Sequence, residues 1–164
     1  MRVPIRKPGK YTHLKPDPHL TEAKFDELKK ELEHLIKLRP EAASEVKRLA
    51  EMGDFSENAA YQMAKGRLRG INENIEKIQE HLKRAIIIEP GKDGRVRLGS
   101  NVTVEINGKP KTYLILGSSE TDPAQGVISH NSPMGAALMG HRAGDPVKLK
   151  SKDKVINCII LNVS

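Results

Sequence analysis

Gly53-Asp54-Phe55-Ser56-Glu57-Asn58 is the stretch on which the fold of this chain turns. On either side of it run long segments whose apolar residues recur at alternating spacings of three and four, the seam of a coiled coil. Before it the series is Phe25, Leu28, Leu32, Leu35, Ala42, Val46 and Leu49, complete once Arg39 is admitted. After it come Tyr61, Ala64, Leu68, Ile71, Ile75, Ile78, Leu82 and Ala85. Laid antiparallel, the two series pair at a constant sum: Phe25 with Ala85, Leu35 with Ile75, Leu49 with Tyr61, centred on Phe55. Any two heptads produce part of that regularity, so it supports the register without proving it. Helices from Glu22 to Met52 and from Ser56 to Ile86 would each run about 45 Å at ~1.5 Å per residue. The expected form is a finger with its tip at residues 53–58.

Local signals agree. Thr21 is a good N-cap, and Leu20 with Phe25 has the spacing of a hydrophobic staple. Gly53 ends the first helix. Pro40 lies inside it and is expected to kink it, and Arg39 opposite Ile71 predicts an imperfect layer in the seam.

A hairpin of this length cannot form a compact globule, and 164 residues leave room for a second domain. The heptad stops near Pro90. Beyond it the pattern becomes short β-rich runs: Asn101 to Ile106, an Asn107-Gly108 hairpin turn, Lys111 to Leu116, Val127 to Ser129, Val147 to Lys150 and Val155 to Val163. Ser132-Pro133 is an N-cap followed by proline at the first helical position, and Gly140 terminates a short helix over Met134 to Met139. The fold class is α+β: a long antiparallel coiled-coil hairpin over residues 19–89, then a small, mainly antiparallel sheet with one helix over 90–164. Met1 to Leu20 carries Pro4, Pro8, Pro16 and Pro18 with five basic residues, and residues 1–18 read as a flexible basic arm, neither signal peptide nor membrane span.

The net charge of +7 divides into +3 over residues 1–90 and +4 over 91–164, so neither half is the basic one. The balance suits an anionic partner, but 3% aromatic residues and no Trp argue against a base-stacking platform, leaving phosphate as the point of contact with any nucleic acid. The single cysteine, Cys158, sits in an alternating apolar run and reads as a buried strand residue; without a disulfide framework the chain suits a reducing cytosol. Histidines 13, 19, 34, 81, 130 and 141 are scattered and read as surface or turn residues rather than metal ligands. No zinc spacing, phosphate-binding glycine loop or nucleophile elbow occurs.

Asp54 and Glu57 admit two readings. Asp54 can cap the second helix with Glu57 as its N3 partner, stabilising by about 1 kcal/mol. Alternatively, the two carboxylates, three apart near a helix start, present oxygens to a hard cation or a water. Repulsion does not decide the matter, costing ~0.7 kcal/mol at ~6 Å in water. Two carboxylates alone cannot satisfy the octahedral preference of Mg²⁺, so metal chemistry here requires ligands from a partner. Lys65, Arg67 and Arg69 follow; they are either a solvated helix face or a phosphate-gripping patch in which Lys65 and Arg69, four apart, share a side.

Two motifs resemble the bacterial Gre family of transcript cleavage factors. Gly53-Asp54-Phe55-Ser56-Glu57-Asn58-Ala59-Ala60-Tyr61 resembles its finger tip. Ser129-His130-Asn131-Ser132-Pro133-Met134-Gly135-Ala136-Ala137-Leu138-Met139-Gly140 resembles the signature of its FKBP-like C-terminal domain. The likeness spans His19 to Ser164, and Tyr61 to Arg69 is closer to the B-type than the A-type member. The basic arm departs from the usual short start.

The resemblance implies a cytoplasmic, monomeric transcription factor whose coiled coil enters the secondary channel of a backtracked RNA polymerase while the globular domain docks at the channel rim through Ser132, Pro133 and Met134. It implies that Asp54 and Glu57 help hold a catalytic Mg²⁺ shared with the polymerase and orient the attacking water, supported by Phe55, Ser56, Asn58 and Tyr61. Lys65 and Arg69 would contact the extruded 3′ end of the nascent RNA. The chain would then be no nuclease by itself. A relative that inhibits polymerase without cleavage, and a coiled-coil adaptor, remain as alternatives. A prolyl isomerase is a poor one, because residues 91–164 hold only Tyr113 to line an aromatic pocket.

Overall fold

The computed structural model describes residues 15–52, 59–89, 91, 93–151 and 154–164. The finger is built from α1 (Glu22–Glu51) and α2 (Ala59–Arg84). Thr21 caps α1, its hydroxyl accepting the Lys24 amide at 3.2 Å. Leu20, fully buried before the cap, joins Leu28 and Ile78 in a cluster at the finger's base, with Phe25, Leu82 and Ala85 packed against it, which is the staple and the Phe25–Ala85 level of the expected register. Farther out, Ala42, Ile71 and Ile75 form the next cluster with Leu32, Leu35, Leu38 and Leu68. The start of α1 therefore packs on the end of α2, the helices run antiparallel, and Glu51 and Ala59 lie at the end remote from the base.

One layer of the seam differs from expectation. Leu38 packs into the second cluster, and Arg39 is exposed. Burying a guanidinium without a partner is costly, and a helix of ~3.6 residues per turn drifts enough against a seven-residue repeat for the neighbouring leucine to take the place. Pro40, exposed, lies inside a helix assigned without interruption from Glu22 to Glu51.

α2 ends at Arg84, two residues short of the expected Ile86, because the chain there becomes a strand. β1 (His19–Leu20) and β2 (Ile86–Ile87) pair in parallel, His19 with Ile86 and Leu20 with Ile87. This two-residue pairing closes the base of the finger between segments far apart in sequence.

The globular part is a five-stranded sheet in the order β5-β4-β3-β7-β6, from β3 (Asn101–Ile106), β4 (Lys109–Leu116), β5 (Val127–Ser129), β6 (Pro146–Ser151) and β7 (Lys154–Val163). Asn107 and Gly108 turn the β3–β4 hairpin with φ of 53° and 74°, the left-handed pair that a type I′ turn requires. The sheet is mixed rather than antiparallel throughout: the edge strand β5 runs parallel to β4, Ile115 opposite Ile128. That follows from the connection, which crosses two 3₁₀ turns, Ser118–Glu120 and Pro123–Gln125, instead of a tight hairpin. α3 (Pro133–Leu138) packs on one face, where Val96, Val102, Val104, Ile115, Leu138, Val147, Leu149, Cys158 and Ile160 form the core. Each such side chain contributes roughly 1.5–3 kcal/mol on burial. Cys158 is among them, as its strand position predicts.

Candidate functional site

The far end of the finger is the first candidate. Gly53, Asp54, Phe55, Ser56, Glu57 and Asn58, the acid pair and most of its supporting residues, lie outside the described residues. Tyr61 is half-buried in the first turn of α2. Among the described residues near this end, Met52 is 69% exposed and Met63 76%.

Behind this end, Lys65 and Arg69 are brought together. Both are exposed and line a shallow depression on α2 with Gln62, Gly66, Leu68 and Asn72. Arg69 Nε stands 3.5 Å from Glu73. Arg67 turns the other way, its Nη1 3.9 Å from Glu45 on α1. At ~1.5 Å per residue, Lys65 and Arg69 lie about 9 and 15 Å along the axis from Ala59.

In the globular domain Ser132, Pro133 and Met134 start α3. The Ser132 hydroxyl accepts the Gly135 amide at 3.0 Å and donates to the Ser129 carbonyl at 2.7 Å. Pro133 at the first helical position is exposed, and Met134 packs against the core. A Cβ on Gly135 would sit 2.1 Å from the Ser129 carbonyl oxygen, so the motif's glycine permits the helix to lie directly on the preceding turn.

The sequence reading did not foresee a polar junction between the finger's base and the globular domain. Asp17, whose side chain is only 6% exposed, stands at its centre. Its Oδ1 accepts the His19 amide at 3.1 Å and lies 2.9 Å from His19 Nδ1. Its Oδ2 accepts the Ser118 amide at 2.9 Å and lies 3.5 Å from His130 Nδ1. Burial pushes the carboxyl pKa up, but the Ser118 and His19 amides, the His19 ring and the charge of His130 when protonated outweigh it and bring the group down to about 2. His81, expected at the surface, is instead buried on α2, with Nε2 2.8 Å from the Asp17 carbonyl oxygen. Asp17, expected in the arm, is thus held against Ser118 far along the chain, and the carbonyl of Pro18, expected there too, accepts the Ile86 amide at 2.7 Å; residues 1–14 lie outside the described residues. Asp-Pro-His beside a predicted N-cap was the available signal, but nothing local in it points to His130.

Two family profiles cover nearly all of the described chain. That described as transcription elongation factor, N-terminal, matches residues 19–87, and that described as transcription elongation factor, GreA/GreB, C-term, matches residues 91–164. The chain belongs to the GreA/GreB family of transcription elongation factors. Among similar proteins, the transcription elongation factor GreA of Thermomicrobium roseum is 42% identical over 148 residues, 88% of this chain and 95% of that one. GreA of Macrococcus caseolyticus is 40% identical, with 79% and 85% covered. Among solved structures, the GreA factor homolog Gfh1 of Thermus thermophilus is 28% identical over 90% of this chain and 99% of its own, with a TM-score of 0.42. Family membership accords with the two-part architecture: the profile boundary between residues 87 and 91 falls where β2 ends. Among the described residues, no helix is long and apolar enough to cross a membrane.

Proposed function

We propose that this chain acts in the bacterial cytoplasm by inserting its finger into the secondary channel of a backtracked RNA polymerase and stimulating Mg²⁺-dependent hydrolysis of the nascent RNA 3′ segment. The observation that carries the reading is the antiparallel packing of the two helices that flank the acid pair in sequence. Asp54 and Glu57 fall between Glu51 and Ala59, the ends at which two antiparallel-packed helices stand farthest from the globular domain. About 40 Å of helix separates Glu51 and Ala59 from the base, enough to reach into a deep channel while the rest of the molecule stays outside.

The donor set fits a hard cation. Asp54 and Glu57 offer carboxylate oxygens, the ligands Mg²⁺ prefers, and two carboxylates leave an octahedron unfilled, so the site is complete only against the polymerase's own acids. Asp54 and Glu57 would hold the ion there, and it would supply charge stabilisation to the hydrolysis of the phosphodiester. The work of this chain is to bring the two acids to the reacting phosphate and to orient the attacking water. Lys65 and Arg69 meet the backbone of the extruded RNA, Met52 and Met63 face the channel, and Pro133 at the head of α3 meets the channel rim with Ser132 and Met134 behind it. The chain acts as a monomer and is not an enzyme by itself.

The deciding experiment adds the purified chain and Mg²⁺ to a halted, backtracked elongation complex. Shortened RNA is the expected result. Slowed elongation without shortening would assign the chain to an inhibitory role, and no effect would leave it an adaptor.

A further inference from the structure

Among the described residues, one group of His, Cys, Asp or Glu side chains stands ready for a metal ion: Asp17, His19 and His130, whose donor atoms all lie within 4.8 Å of one another. We propose that this cluster binds a divalent ion of the Zn²⁺ class, and that the ion latches the finger's opening segment to the β5–α3 loop of the globular domain. The site lies at the base of the finger, independent of the chemistry assigned to Asp54 and Glu57.

Ligand type selects the ion. Two imidazole nitrogens and a carboxylate suit Zn²⁺, Co²⁺ or Ni²⁺ rather than the all-oxygen shells of Mg²⁺ and Ca²⁺. With metal–ligand bonds of about 2.0–2.2 Å, donors at tetrahedral corners stand roughly 3.3–3.5 Å apart. One Asp17 oxygen lies 2.9 Å from His19 Nδ1 and the other 3.5 Å from His130 Nδ1, and with one donor from each residue all three lie within 4.8 Å of one another, so modest side-chain rotation is needed to reach that span. The rings meet edge to face, 5.5 Å between centroids, and His19, a third exposed, has room to turn.

Supporting contacts hold the ligands in place. The Ser118 amide and His81 Nε2 hold opposite ends of Asp17, its carboxylate and its carbonyl, the kind of outer contact that orients metal ligands. Ser129, next to His130, is tied through its hydroxyl to that of Ser118 at 2.8 Å. The nearby cations do not leave the site positive: Lys15 lies 3.0 Å from Glu80 and Arg84 3.8 Å from the same carboxylate, so with Asp17 the charges balance before an ion arrives. A cleft of about 780 Å³, bordered also by Ser119 and Asn131, admits the ion and a water as fourth ligand. The competing explanation is a junction without metal, in which the His19 ring donates a hydrogen bond to Asp17 and His130 Nδ1 donates to the Leu116 carbonyl oxygen at 3.4 Å.

The test uses the full chain without an affinity tag, stripped by a chelator and titrated with Zn²⁺ by calorimetry and with Co²⁺ by visible absorption. One ion per chain is expected, with ligand-field bands of nitrogen and oxygen coordination. His19→Ala and His130→Ala should each weaken binding at least about tenfold, and His34→Ala, an exposed position on α1, should not. Zn²⁺ should raise the melting temperature of the wild type and leave that of His130→Ala unmoved. Circular dichroism checks folding, and His130→Asn serves if the alanine variant does not fold. Absence of saturable binding, or equal affinity in wild type and both ligand variants, overturns the proposal.

Discussion

Glu120 grips the N-cap of α1: its Oε2 accepts the Thr21 amide at 2.8 Å, and its Oε1 accepts the Thr21 hydroxyl at 2.5 Å. The same hydroxyl accepts the Lys24 amide, so one side chain caps α1 and ties it to a 3₁₀ turn of the globular domain. A carboxylate at a helix start also meets the positive end of the helix dipole.

Replacing this acceptor loosens the two parts together. Glu120→Ala is expected to cost about 1.5–3 kcal/mol, the range for hydrogen bonds to a charged group. That corresponds to a fall in melting temperature of roughly 3–12 °C for a protein of this size. Helix content at room temperature should be unchanged. A wild-type melting curve would mean that the contact contributes nothing to the fold.

The close approach at α3 ranks two substitutions. Ser132→Ala removes a cap, worth about 1 kcal/mol. Gly135→Ala places a methyl 2.1 Å from a backbone oxygen, and either the helix or the turn beneath it must move. Overpacking of that kind costs about 1–3 kcal/mol or more, so Gly135→Ala should be the less stable of the two in urea unfolding. The reverse order would show that α3 shifts without resistance.

At the tip, Asp54→Asn or Glu57→Gln is expected to abolish stimulated cleavage while folding and polymerase binding stay near wild type. A lost cap costs at most ~2 kcal/mol, whereas a lost ligand removes the reaction. Full cleavage by either variant at limiting Mg²⁺ would return these acids to a capping role. The wild-type chain by itself should not hydrolyse RNA, since two carboxylates do not complete a magnesium site.

Much of this architecture is written in local patterns. Heptad spacing placed the two helices, Thr21 and Leu20 placed the start of the first, and Asn107-Gly108 placed the hairpin between β3 and β4. What escaped depends on pairs distant in sequence. The His19–Ile86 and Leu20–Ile87 pairing is too short to carry a period, and the parallel course of β5 depends on a connection of two 3₁₀ turns. Arg39 was admitted to the seam because the count demanded it, although the cost of desolvating a guanidinium favours Leu38. The junction at Asp17 joins residues 17, 19, 81, 118 and 130, each unremarkable among its own neighbours. The candidate phosphate grip differs: Lys65 and Arg69, four apart, share a face by helical geometry alone, and Arg67 between them pairs across to Glu45.

That geometry leads to a length-dependent prediction. Lys65 and Arg69 lie about two to three turns into α2 from Ala59 at ~3.6 residues per turn, where a longer extruded RNA would be needed to reach them. Lys65→Ala combined with Arg69→Ala should therefore slow cleavage more in complexes backtracked by many nucleotides than in those backtracked by few. It should also flatten the salt dependence on the long segments, because fewer counterions are released when two phosphate contacts are missing. Stability should scarcely change, since both side chains are exposed and Arg69 loses only a surface pairing with Glu73. The measurement is the cleavage rate on short and long extruded RNA across a salt series. Equal losses on both would place the two cations against the channel wall instead of the RNA.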